Sequence, residues 1–250
     1  MRRLILGLFS FLIGLAAQSD LRPAIQVSSA GKAVAKPDLA IAFLQVRSSA
    51  PLANDALEQN KKKVAEVKAK LVSLGYKDEQ IRFTGNRFSP TGQGMYYPGG
   101  QRPTGFDVYN NLYVTLDASD LKSIDGFNTK LGTLLDELSK IGAQTINMPI
   151  SSISMGGASV VAFTVRDAAA YEKKAYQDAM DKARPIADDI AKRMKVAITG
   201  IESVNIAQQG RQQMYGGPAN PLDELPYEYL SSSIDEVPVR VRLDVRYSYK

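Results

Sequence analysis

The side chains with chemistry to offer are carboxylates, cations and tyrosines, because the chain holds no histidine and no cysteine. Without histidine the commonest general base, proton shuttle and metal ligand is missing. Without cysteine there are no disulfides, thiolate nucleophiles or sulfur-ligated metals, and an exported chain must hold together by core packing alone. Carboxylates occur as adjacent pairs, Asp188 with Asp189 and Asp235 with Glu236. Adjacent side chains on a helix or strand diverge, so neither pair converges on one substrate atom, and both read as solvated positions. A Ser/Lys nucleophile has no local motif behind it. Gly92-Gln-Gly94 and Gly99-Gly100 lack the lysine and the helix start of a phosphate loop, and read as an ordinary loop. No catalytic residue, cofactor or metal is therefore expected.

Cations and tyrosines are more informative. Near the C-terminus, Val237, Val239, Val241, Leu243, Val245, Tyr247 and Tyr249 alternate with Arg240, Arg242, Asp244, Arg246 and Ser248. That period of two is a strand with one face in the core. Its other face carries a basic stripe, Arg240, Arg242 and Arg246 with Lys250, a candidate contact for an anionic surface; the bland alternative is a strand face kept soluble. Tyr96, Tyr97, Tyr215, Tyr227 and Tyr229 lie in or beside two Gly/Pro-rich segments, 88–105 and 208–229. Loop aromatics favour interfaces because they bury area at small entropic cost, so these five are candidate intersubunit contacts, with local packing as the alternative. A strand face bearing Tyr109 and Tyr113 is a further candidate, for a small ligand.

A few elements must position these groups. The helical stretch 167–194 places Ala175, Ala179, Ala183, Ala187 and Ala191 at every fourth position, a ridge without bulk that lets another layer approach closely. Ile186, Ile190 and Met194 are expected to form a second apolar row beside it, and Pro185 to kink it. The opposite face is charged, with Asp178/Lys182, Asp188/Lys192 and Asp189/Arg193 in the favourable acid-first order. Such a helix covers a sheet. Residues 25–34 and 39–47 read as strands in a hairpin-like start broken by Lys36-Pro37-Asp38, the second apolar on both faces and so central. Helices over 52–74 and 127–141 end at Gly75 and Gly142, each supplying a left-handed stop. Strands are expected at 81–86, 106–116, 145–155, 159–165, 196–207 and 237–249. The alike endings Leu71-Val-Ser-Leu-Gly75 and Leu138-Ser-Lys-Ile-Gly142 point to a repeated strand-helix-strand unit, with the alanine helix closing a third.

At the other end of the chain, Arg2 and Arg3 precede an apolar run, 4–15, of signal-peptide length and too short to span a bilayer comfortably. Ala16, Ala17 and Ser19 then allow cleavage after Ala17 or after Ser19; the alternative is an anchor that stays attached. Residues 1–19 thus read as a signal peptide and 20–250 as the folded domain, with no transmembrane span expected in the mature chain. At 250 residues and 44% hydrophobic, the chain can bury a large core. Its formal charge is +5, and two of its cations, Arg2 and Arg3, belong to the leader. So mild an excess argues against a nucleic-acid binder, which needs a clustered basic footprint.

Several of these features together resemble a known family, the bacterial SIMPL-domain proteins, a domain of unknown function. They are Val27-Ser-Ser-Ala-Gly31-Lys-Ala-Val34 followed by Pro37-Asp38, the helix ending at Gly75 with Ile81 beyond it, the strand opening at Gly105-Phe106, the helix ending at Gly142-Ala143, and Lys182-Ala183 in the alanine helix. The family often has glycine where this chain has Ala191. With the repeat, the resemblance implies an α+β fold whose helices pack on mixed, largely antiparallel sheets. It also implies a non-enzymatic protein of the periplasm or outer membrane, in a family with immunogenic antigens and links to stress tolerance. Two expectations follow: a homo-oligomer joined through segments 88–105 and 208–229, or a binding module for a small ligand or anionic envelope component. An outer-membrane barrel fits poorly, because strong soluble-type helices interrupt the strands.

Overall fold

The computed structural model describes residues 23–91, 104–117, 123–146, 159–207 and 229–250. In chain order these form β1 (Ala24–Ala35), β2 (Leu39–Ala50), α1 (Ala53–Ser73), a short turn of 3-10 helix (Asp78–Gln80), β3 (Ile81–Phe83), β4 (Arg87–Thr91), β5 (Gly105–Asp117), α2 (Ile124–Lys140), β6 (Ala143–Thr145), β7 (Val161–Thr164), α3 (Ala169–Met194), β8 (Ile198–Ala207) and β9 (Val237–Tyr249). A three-stranded sheet runs β1-β9-β8. In a larger sheet β2 and β5 lie side by side at the centre, with β3 and β4 along the far side of β5 and β6 and β7 along the far side of β2. All ladders among the described residues are antiparallel. This is the α+β fold expected, helices on antiparallel sheets.

Two local expectations change. β1 and β2 do not pair with each other: β1 joins β9 and β2 joins β5, so Lys36-Pro37-Asp38 carries the chain between sheets and is no hairpin turn. Residues 88–91, expected to begin an irregular loop, belong to β4, where Pro90 is tolerated because β4 is an edge strand. Gly105, at the other end of that segment, opens β5, and 92–103 lie outside the described residues, as do 147–158, where most of the strand expected at 145–155 would fall.

Sequence alternation explains the layering of the large sheet. Ala40, Ala42, Leu44 and Val46 face α1 and α2 and join Val67, Leu71, Leu112, Val114, Phe127, Leu134 and Leu138 in the main core. Ile41 and Phe43 point the other way, where Phe43 meets Tyr113 edge-to-face at 5.8 Å between ring centroids. Both faces of β2 are buried, as its two-sided apolar pattern requires. Gly75 at φ 89° and Gly142 at φ 86° end α1 and α2 in the left-handed region, which costs glycine nothing. Glu137 of α2 ties the helices together through Lys70 of α1 and also pairs with Lys140 in its own helix.

The alanine ridge is fully inside. Ala175, Ala179, Ala183, Ala187 and Ala191 pack on Ile25, Val27, Val239, Leu243 and Val245. A buried methyl is worth only about 0.8 kcal/mol, whereas a covered Val, Leu or Ile side chain is worth about 1.5–3 kcal/mol. The ridge therefore stabilises chiefly by letting α3 cover the sheet closely. Contact is closest at Gly31, where a Cβ would lie 1.8 Å from the carbonyl oxygen of Ala175. Ser29 Oγ donates to the Ala179 carbonyl at 2.9 Å, the Lys32 backbone N–H donates to Asp178 at 2.8 Å, and Lys182 Nζ reaches the Ala30 carbonyl at 3.4 Å. Asp178 and Lys182 thus satisfy the open edge of β1.

Their row continues along α3 as Ile186, Ile190 and Met194. It overhangs that edge, so Ile186 and Met194 are 47% and 48% exposed and only Ile190 packs, against the expected second apolar row. Pro185 lies inside α3, which runs through it as one helix. The exit comes at Lys195, a left-handed residue at φ 56°, four residues beyond Ala191.

Candidate functional site

Two surfaces of the three-stranded sheet are available for contact. The first is the face turned away from α3. In β1 the odd-numbered residues are buried beneath the helix and Gln26, Ser28, Ala30, Lys32 and Val34 face outward. Register places Lys32 opposite Arg240, Ala30 opposite Arg242, Ser28 opposite Asp244 and Gln26 opposite Arg246. The expected basic stripe is therefore real as a face but uneven in charge. Arg246 Nε lies 3.3 Å from Glu202 of β8, and Asp244 accepts a short hydrogen bond from Ser28. Among the described residues, no ion pair or side-chain hydrogen bond compensates Arg240, Arg242 or Lys32. The cationic centre is these three, with Arg246 neutralised beside them.

The second surface is β8, the outer strand of that sheet. Its Ile201, Val204 and Ile206 pair with Tyr247, Val245 and Leu243, so they stand on the helix side of the sheet. Yet α3 lies chiefly over β1 and β9 and scarcely reaches β8. The three side chains are left 49%, 44% and 58% exposed. Among the described residues, no strand pairs with the outer edge of β8. Natural edges are commonly guarded by lysine, proline or inward charge. β8 has no lysine and no proline, and its one charge, Glu202, is engaged by Arg246.

Among the described residues the Tyr109/Tyr113 face is packed. Tyr113 is fully buried against Phe43, and the neighbouring polar side chains are spent on one another. Arg47 pairs with Asp107 at 2.6 Å, Ser49 donates to the same carboxylate, and Gln45 donates to Asn111 at 3.0 Å. The hydrogen bond from Arg47, followed by that from Ser49, holds the Asp107 carboxyl below its usual range against the effect of burial. This is a packed polar layer. Of the tyrosines considered for an interface, Tyr229 packs against both internal clusters while its carbonyl accepts from Thr164 Oγ1 at 2.6 Å. Tyr96, Tyr97, Tyr215 and Tyr227 lie outside the described residues. Asp188 binds Arg184 at 3.1 Å and Asp189 binds Arg193 at 2.9 Å, each occupied on the exposed face of α3.

Sequence reasoning missed Lys32 and the apolar row of β8. Lys32 joins the arginines only through the β1–β9 register, which pairs residues from opposite ends of the chain. In β8, irregularities between Ile198 and Gly200 and between Ile201 and Ser203 shift the pleat by one residue. Ile201 and Val204 therefore share a face at a spacing of three, which a period of two does not reveal.

Helices covering antiparallel sheets define an α+β protein. The chain belongs to the SIMPL family, proteins of unknown function (DUF541), whose model matches residues 25–247. No match is found among curated proteins. None of the described helices is long and apolar enough to cross a membrane.

Proposed function

We propose that the chain is an exported, non-enzymatic envelope protein that acts as a homo-oligomer, with copies meeting at β8. The observation that carries this is the outer edge of β8, with which no strand pairs among the described residues, beside exposed Ile201, Val204 and Ile206. A second β8, antiparallel across a two-fold axis, pairs with the backbone of that edge and covers the apolar row with its own copy. Self-pairing brings no uncompensated charge together, since Glu202 is already engaged by Arg246. Segment 208–229, expected from its composition to take part in assembly, follows β8 directly in the chain. Export rests on the basic start, the short apolar run 4–15 and the small residues behind it. The periplasm is the proposed location, with or without association with the outer membrane.

Light scattering on the purified protein tests the assembly. Val204→Lys places a charge in the centre of the exposed row, and should lower the solution mass with the circular dichroism spectrum retained. A wild-type protein that stays monomeric at high concentration refutes self-association, and a Val204→Lys protein of unchanged mass removes β8 as the contact.

A further inference from the structure

The outer face of the three-stranded sheet carries a feature that self-association does not use. Lys32 and Arg240 are directly opposite on neighbouring strands, and Arg242 follows two residues along on the same face. Directly opposed like charges destabilise a strand pair, yet among the described residues no acidic side chain relieves them. Of the nearby acids, Glu202 is paired with Arg246 and Asp178 with Lys182, while Asp244, hydrogen-bonded by the neutral Ser28, keeps its charge at one end of the row and the exposed Asp235 and Glu236 precede Pro238 at the other. The next pair along the face is Val34 with Pro238, and Val34 is 49% exposed. Three cations thus stand on an open sheet face beside an apolar margin.

We propose that Lys32, Arg240 and Arg242 form a docking face for an anionic lipid surface, with the cations over headgroup phosphates and Val34 and Pro238 at the headgroup boundary. The charges project from a sheet face, not into a cavity, and a planar array of phosphates complements them where one small anion would meet only part of the set. A basic cluster bordered by exposed apolar residues is the pattern of a protein lying on a membrane. The proposal stands apart from self-pairing at β8 but gains from it. A two-fold axis between antiparallel edge strands runs perpendicular to the sheet and leaves both basic faces on the same side, so a pair of copies would present two patches to one surface.

The test is co-sedimentation of the purified full chain with phosphatidylcholine vesicles, with and without phosphatidylglycerol. Binding should require the anionic lipid and decline with salt. Lys32→Gln, Arg240→Gln and Arg242→Gln should each weaken it about fivefold, the effect expected per basic residue at an anionic surface. The double variant Arg246→Gln/Glu202→Gln, which removes an ion pair and no net charge, should leave it unchanged. All variants share residues 1–22, so differences between them report the sheet face alone. Lys32→Gln and Arg240→Gln should also unfold at the wild-type midpoint or above it, because each relieves repulsion. Equal binding to neutral vesicles, or a loss in the Arg246→Gln/Glu202→Gln double variant as large as that of Arg240→Gln, overturns the proposal. So does competition by millimolar inorganic phosphate, which indicates a small-anion site, or tighter binding to duplex DNA than to vesicles. Running the same assay on Val204→Lys separates the two surfaces: retained variant-sensitive binding by that protein leaves the lipid face standing even if self-pairing at β8 fails.

Discussion

Replacing Gly31 with alanine should destabilise the fold by about 1–3.5 kcal/mol, even though alanine is ordinarily the better strand residue by about 0.5–1 kcal/mol. The sign is set by α3. An added Cβ would stand 1.8 Å from Ala175 O and 2.7 Å from Ala179 N, both backbone atoms that no rotamer change can move, whereas ordinary contact begins at 3.4 Å. Restoring that contact moves helix and strand apart by about 1.6 Å along the line to Ala175 O. Ser29 Oγ, now 2.9 Å from Ala179 O, then loses a hydrogen bond worth about 1 kcal/mol. A gap of about 0.5–1 Å already forfeits a quarter to a half of each dispersion contact, and overpacking of this kind typically costs about 1–3 kcal/mol. Against a total stability of about 5–15 kcal/mol the loss is large. Urea denaturation followed by circular dichroism measures it. Gly132→Ala serves as the control of opposite sign: it lies within α2 with nothing within 4 Å of the added Cβ, and should stabilise by about 0.5–1 kcal/mol. A Gly31→Ala midpoint equal to or above wild type would refute close packing between β1 and α3.

Bulk on the ridge should be costly for the same reason: Ala183→Leu or Ala187→Leu is expected to lose about 1–3 kcal/mol, and Ala169→Leu, at the exposed start of α3, much less, as compared by denaturation midpoints. Asn60 is buried in α1 and donates to the carbonyls of Val46 and Val108 at 3.0 and 3.1 Å, so Asn60→Ala should cost about 1–3 kcal/mol by leaving both without that partner, again read from the urea midpoint. Hydrogen bonds from Lys140 and then Lys70 lower the Glu137 carboxyl from 4.5 to about 2. A folded value below the unfolded one means stability present above about pH 4.5 and lost as pH falls through about 2, so Glu137→Gln should flatten the acid limb of a stability–pH profile in that window. Mass spectrometry of protein from the envelope fraction should find an N-terminus at Gln18 or Asp20; an intact Met1 to Ala17 would contradict export with cleavage.

What was legible in the chain was whatever depends on neighbours a few residues away. The ridge of α3 follows from alanines four apart, the helix stops at Gly75 and Gly142 from a backbone conformation that glycine adopts freely, and the inward face of β9 from strict alternation. The family was legible too, because its features are spaced along nearly the whole chain. What required the tertiary structure was everything set by register and by the edges of layers. That β1 leaves β2 for β9 is decided by pairing across more than 200 residues, and no local period encodes it. The same pairing brings Lys32 to Arg240, while Glu202 takes Arg246 out of the stripe from a third strand. Ile186 and Met194 obey helical spacing as well as Ile190 does, yet they overhang the sheet, because where a covering layer ends is a property of the assembled layers. Ile201, Val204 and Ile206 would be core residues in a wider sheet. They are surface because, among the described residues, no strand lies beyond β8, which is settled only when the strands have been divided between two sheets.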